Sequence, residues 1–234
     1  MRHQLLHRIQ RFLAIISFIC LLTIGLTVAQ RLGYQWPTLA DLLPTGWLGP
    51  LWGRQIALIS GHAGNDSGAI CIDAAGNPTV TEQSINAAIA ALVAQQLART
   101  GATVTILDEF DDRLAGLQRD LLVSIHADSC IGASGYKAAY ATNAHVATAA
   151  MQLSRCFDEW YAKTTQLTPH LNTITHAMTD YHAFRKIDPT TPAMILEVGF
   201  IGGDQQLLVE RPATVALGIT ESIRCYFESE LNRE

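Results

Sequence analysis

TEQSINAAIAALVAQQLARTGATVTIL, residues 81–107, is the stretch whose reading decides the fold. Thr81 opens a helix that runs to about Thr100, and Gly101 stops it. Ile85, Ile89, Leu92, Val93 and Leu97 recur at helical spacing and form its apolar face. ATVTIL (102–107) then switches to a β-branched strand. Working outward, IALIS (56–60) is a short apolar strand that ends at Gly61, and LLVSIHA (121–127) is apolar on both faces, hence interior. GYKAAYA (135–141) reads as an edge strand, 144–165 as a long helix, AMILEVGF (193–200) as another interior strand and 212–230 as a closing helix. Strands alternating with helices in this way predict an α/β three-layer sandwich around a twisted, largely parallel sheet.

Composition narrows the function. The 234 residues carry 16 Lys and Arg against 21 Asp and Glu, a net charge of −5, and only 16% are charged. Soluble domains average about 25%. Disordered and supercharged chains are excluded, and no polybasic patch supports nucleic-acid binding through phosphate neutralisation. Part of the deficit lies in residues 12–30, FLAIISFICLLTIGLTVAQ, 19 positions without a charge. At about 1.5 Å per residue such a run approaches the roughly 30 Å of a bilayer core. Arg2, Arg8 and Arg11 precede it, so the positive-inside bias keeps 1–11 in the cytoplasm and sends the rest outside. The expected organisation is a basic segment (1–11), a transmembrane signal anchor (12–30), a linker rich in Pro, Gly and Trp (31–53) and a catalytic domain (54–230). A signal peptide cleaved after Thr27-Val28-Ala29 is the alternative, and it would make the domain secreted.

Four polar residues stand where such a sheet normally places apolar or small ones. His62 follows the first strand, His126 ends LLVSI, Glu197 interrupts MILEVGF, and Glu82 occupies the helical face shared by Ile85 and Ile89. Ligand sites of open α/β sheets lie beyond the carboxyl ends of the strands, where helix N-termini also gather, so all four point to one rim. Singly, a histidine after a strand is a hydrogen-bonded loop residue, and a glutamate at a helix start complements the helix dipole. Jointly, two imidazoles and a carboxylate form a three-ligand zinc site with an open position, and a second carboxylate can move a proton. An ionised Glu197 inside an apolar strand costs several kcal/mol unless a cation compensates it.

These residues resemble a known family. SGHAG…SGAI, TEQSINAAIAALVAQQLARTGATVTIL, VSIHADS and PAMILEVGFIGG are similar, in order and spacing, to the zinc-dependent N-acetylmuramoyl-L-alanine amidases of the Amidase_3 type, over about residues 54–230. The resemblance implies a mixed sheet between helices, one Zn2+ held by His62, Glu82 and His126, and Glu197 as the catalytic carboxylate. It implies peptidoglycan as the partner and hydrolysis of the amide between N-acetylmuramic acid and L-alanine of the stem peptide. The family's usual Asp-Pro before the Gly-His turn is Ile59-Ser60 here, and the segment 108–120 is shorter than usual.

Around that set, Arg185 is a candidate for holding a stem-peptide carboxylate, with a surface salt bridge as the plainer alternative. His176 and His182 are read as non-ligands, and Asp73 and Asp128 as acceptors that orient the ligand imidazoles. Cys71 and Cys130 each follow a proposed ligand on the same rim and are expected to form a disulfide, with free buried thiols as the alternative. Two other functions compete: a catalytically weak or inactive peptidoglycan-binding regulator of the same fold, and a zinc peptidase. All four key positions are intact, against the first. The separation of His62 from Glu82 departs from a short His-x-x-Glu motif, against the second.

Overall fold

The computed structural model describes residues 49–141 and 145–231, with Ile16, Ser17, Phe18, Cys20 and Thr23 of the N-terminal segment. Most of 12–30, the expected membrane anchor, lies outside the described residues. Among those described, no helix is long and apolar enough to cross a membrane.

The chain runs β1 (Gln55–Ser60), β2 (Ile70–Ile72), β3 (Pro78–Thr81), α1 (Glu82–Arg99), β4 (Thr103–Leu107), β5 (Leu121–Asp128), β6 (Lys137–Tyr140), α2 (Ala147–Cys156), α3 (Ala162–Thr165), α4 (His176–Thr179), α5 (His182–Lys186), β7 (Ala193–Phe200) and α6 (Pro212–Leu231). Five strands form one sheet in the order β4-β1-β5-β7-β6, parallel except for β6, which runs antiparallel to β7 at the edge. β1 is therefore flanked by β4 on one side and β5 on the other. The strand order reverses there, and such switch points open a crevice at the carboxyl end of the strand.

Side-chain alternation divides the sheet into two faces. Leu121, Val123 and Ile125 of β5 join Ile85, Ile89 and Val93 of α1 and Ile219 and Ile223 of α6 in the larger core. Leu122 of β5, Ile195 of β7 and Ala139 of β6 face a thinner layer holding Met178, Tyr181 and Ala183. Leu51 is buried in the larger core, so the packed unit begins a few residues before Arg54, inside the segment read as linker.

Helix α1 starts where its chemistry requires. Thr81 is its N-cap, with extended backbone and a side chain that accepts from the Ser84 amide at 3.2 Å. The expected single helix over 144–165 is α2 and α3 joined by a wider, π-type turn at Phe157–Tyr161. Phe157 and Tyr161 are both fully buried, and the Tyr161 hydroxyl donates to the Val198 carbonyl at 2.6 Å. Residues four apart share a helical face, so both aromatic rings enter the core together. The β2–β3 hairpin and the short α4 and α5 were not evident from periodicity, since each is too brief to show one.

Cys71 and Cys130 are joined, as are Cys156 and Cys225, with Cα separations of 5.3 and 5.7 Å. The second bridge ties α2 to α6 across 69 residues. Closing so long a loop restricts the unfolded chain. Replacing both Cys156 and Cys225 by Ala is expected to lower the unfolding free energy by about 2–4 kcal/mol in urea titrations under oxidising conditions.

Candidate metal centre

His62, Glu82 and His126 converge at the switch-point rim, each with one donor atom within 4.8 Å of the others. Their approach comes from three elements. His126 lies two residues before the end of β5, and its side chain alternates onto the thinner face with Leu122 and Ser124. Glu82 comes from the first turn of α1, on the helical side that also buries Ile85 and Asn86. His62 sits in the turn after β1 with φ 64°, a left-handed conformation uncommon for a residue with a side chain.

The Glu82 carboxylate lies between the two imidazoles. Oε2 faces His62 Nε2 at 3.1 Å and accepts from the Ala69 amide at 3.0 Å. Oε1 faces His126 Nδ1 at 3.0 Å and accepts from the Ala127 amide at 3.3 Å. Asn86 Nδ2 braces the group, donating to Glu82 Oε1 at 3.4 Å and to the Gly61 carbonyl at 3.1 Å. The outer nitrogen of each ring meets a further carboxylate. His62 Nδ1 is 2.5 Å from Asp66 Oδ1, and His126 Nε2 is 3.2 Å from Glu109 Oε2. Imidazoles with one nitrogen turned inward and the other held by a carboxylate are arranged as metal ligands are. Two imidazoles and a carboxylate are a fitting donor set for a divalent ion.

Glu197 is the register partner of His126 across β5 and β7, and Lys137 is the register partner of Glu197 across β7 and β6. Glu197 Oε2 is buried without a hydrogen-bond partner, an orphan that calls for a proton, a water or a cation. Burial raises the Glu197 carboxyl to about 7; the His126 charge opposes the rise, and Glu82 and Asp128 add to it. Burial pushes His126 down, but its hydrogen bonds to Glu109 and Glu82 prevail and raise it to about 10. For Glu82 and Glu109, burial is likewise outweighed by hydrogen bonds from His126, and both lie below the ordinary carboxylate range.

The other candidates lie elsewhere. Arg185 is exposed and pairs with Asp180 at 2.5 Å. Asp73 shapes the hairpin turn, accepting from the Ala75 and Asn77 amides, and Asp128 pairs with buried Lys137. The carboxylates beside the outer nitrogens of the two imidazoles are instead Asp66 and Glu109. His182 Nε2 contacts Glu109 Oε1 at 2.8 Å. Glu109 follows β4 by two residues, and the rim rule would have reached it, but the acidic run DEFDD reads as a solvated loop. A cavity of about 370 Å³ opens beside His62, lined by Ala63, Asn65, Asp108 and Phe110 among others. A larger one, about 870 Å³, lies at the opposite end of the sheet near Gln55, Asp120 and Pro192, away from these groups.

The sequence matches the N-acetylmuramoyl-L-alanine amidase family, Amidase_3, over residues 56–224. The chain belongs to that family. Its fold is shared with the N-acetylmuramoyl-L-alanine amidase of Clostridium difficile 630 (18% identity, TM-score 0.59, 76% of this chain and 98% of that one). It is shared also with Ami1 of Mycobacterium smegmatis (17%, 0.58, 76% and 99%) and with the catalytic domain of CwlV from Bacillus (Paenibacillus) polymyxa var. colistinus (22%, 0.55, 75% and 98%). No protein of curated function matches the sequence.

Gly61 permits the close approach on which the cluster depends. A Cβ there would stand 2.6 Å from the His126 ring, whereas one on Gly132 would meet open space. Gly61→Ala is expected to displace the imidazole and cost about 1–3 kcal/mol, with Gly132→Ala nearly neutral, as thermal unfolding would show.

Proposed function

We propose that this chain is a zinc-dependent peptidoglycan hydrolase that cleaves the amide between N-acetylmuramic acid and the L-alanine of the stem peptide. The observation that carries the reading is the His62–Glu82–His126 cluster with Glu197, one carboxylate oxygen of which is buried and unpartnered, in the neighbouring strand. Membership of the amidase family supports the substrate class.

His62, Glu82 and His126 would hold the zinc. When bound, zinc lowers the pKa of a water and polarises the scissile carbonyl. Glu197 accepts the proton of the attacking water and returns it to the departing L-alanine nitrogen. A carboxyl poised near pH 7 can do both, because its acid and base forms are then close in free energy. Burial, reinforced by Glu82 and Asp128, keeps Glu197 from titrating like an exposed acid, and His126 and then Lys137 in the next strand oppose the rise. Arg185 is retained as a candidate for a stem-peptide carboxylate only if its pairing with Asp180 is exchanged for substrate.

The proposed setting is outside the cytoplasmic membrane, with 12–30 as an anchor, or as a cleaved signal that leaves the domain secreted. Two disulfides within the described residues suit an oxidising compartment.

Full-length chain in detergent, incubated with purified peptidoglycan and zinc, is expected to release stem peptides beginning with L-alanine while leaving glycan strands intact by mass spectrometry. Released D-alanine or cut sugars would refute the reading. Glu197→Gln should lower kcat by about 10²–10⁴-fold with zinc binding retained.

His126 supplies a second check. A metal ligand must be neutral, and this imidazole, raised to about 10, is protonated at pH 7 in the metal-free chain. Zinc uptake at pH 7 should therefore expel about one proton from His126, and zinc affinity should climb as pH rises towards 10. Calorimetry in buffers of different ionisation enthalpy measures the proton count, and none released would mean that the His126 imidazole is already neutral in the metal-free chain.

A further inference from the structure

Glu109 is only 5% exposed, yet it lies in the acidic connection that follows β4. Four donors surround its carboxylate. Oε2 is 3.2 Å from His126 Nε2 and accepts from the His62 backbone amide at 3.1 Å. Oε1 accepts from the Tyr181 hydroxyl at 2.8 Å and faces His182 Nε2 at 2.8 Å. Neither Lys nor Arg is among these partners. A buried carboxylate costs several kcal/mol unless its oxygens are satisfied, and here one residue gathers donors from three separate segments: the turn after β1, β5 and the start of α5. A merely structural role would be met more cheaply by an amide or an apolar side chain.

We infer that Glu109 is a positioning residue for the metal centre, fixing both imidazole ligands with a single carboxylate. The inference rests on the zinc reading proposed above. On His126 it acts through the ring: Oε2 stands 3.2 Å from Nε2, an ion-pair contact that favours a proton on that nitrogen and leaves Nδ1, beside Glu82, to face the metal position. On His62 it acts through the backbone. That residue sits at φ 64°, a conformation that persists only where surrounding contacts hold it, and its N–H is bound by the same Oε2. Tyr181 and His182 pin the opposite oxygen, so the carboxylate cannot swing away. Tyr181 is itself held by Ser124 Oγ at 2.9 Å, and the His182 ring packs on Phe110 with centroids 4.5 Å apart. The path Ser124–Tyr181–Glu109–His126 thus begins and ends on β5 and closes a rigid loop around the ligand.

The test is zinc affinity, measured on full-length chain by competition with a chromogenic chelator, together with the visible spectrum of the cobalt-substituted protein. Glu109→Gln retains size but offers an amide where the imidazole needs an acceptor. It is expected to weaken zinc binding about 10–100-fold and to shift the cobalt bands, while the metal-free chain still unfolds cooperatively. Wild-type affinity and an unchanged cobalt spectrum in Glu109→Gln would overturn the inference, whatever the variant's thermal stability. If that variant fails to fold, Tyr181→Phe decides: removal of one donor to Oε1 should weaken zinc severalfold, and wild-type affinity would again overturn it. Failure of the unmodified chain to bind zinc would instead refute the metal reading itself, and a wild-type chain that binds zinc normally keeps the two failures apart.

Discussion

The Glu82 carboxylate faces an imidazole with each of its oxygens, and the order of elements around it follows from bringing it there. A glutamate on the core-facing side of a helix is normally a liability. Here it falls in the first turn of α1, where the helix N-terminus favours a negative charge and where the helix axis has just reached the carboxyl edge of the sheet. The β2–β3 hairpin sets that starting point, since the Glu82 amide donates to the Ala69 carbonyl and the Ala69 amide returns a bond to Oε2. Displacing α1 by one residue would turn the carboxylate through about 100° and lose both imidazoles.

Electrostatics at the rim follow from how few charges the domain spends elsewhere. Glu82, Glu109, Glu197 and Asp128 gather within interaction range of His126 and Lys137, more negative groups than positive ones. Three of the acids are stabilised by donors, while Glu197 keeps an unpartnered oxygen and a carboxyl raised to about 7. The acids are not interchangeable. Glu82 and Glu109, each with several hydrogen bonds, stay ionised and orient their neighbours, whereas Glu197, denied them, is left able to exchange a proton.

Much of this was legible from residue order alone. Strand and helix periods located β1, α1, β4, β5, β7 and α6, and polar residues breaking those periods identified His62, Glu82, His126 and Glu197 as companions on one rim. What escaped has a common physical origin. The hairpin, α4 and α5 are each too short to display a period, and Tyr181 and His182 reach Glu109 only because α5 folds against the thinner face of the sheet. Asp73 and Asp128 were reasonable acceptors by proximity in sequence, but hydrogen-bond partners are chosen by proximity in space. Asp73 is consumed by its own turn and Asp128 by Lys137, leaving the task to Asp66 and to Glu109, which lies 17 positions before His126.

Cys71–Cys130 completes the constraint on Glu82. Cys71 lies opposite Val80 in the hairpin that leads directly into α1, and Cys130 lies just beyond His126 on the loop after β5. The bridge therefore joins the backbone that delivers the central carboxylate to the backbone that delivers one of its two imidazoles. Hydrogen bonds alone would hold these segments through exposed turns, because β2 is only three residues long and Ile70 and Ile72 leave its outer side open to solvent. A covalent link at that point does what a small core cannot do for so short a hairpin. It keeps the hairpin and the loop after β5 together, so that the geometry on which Glu82 depends is set before any ligand arrives.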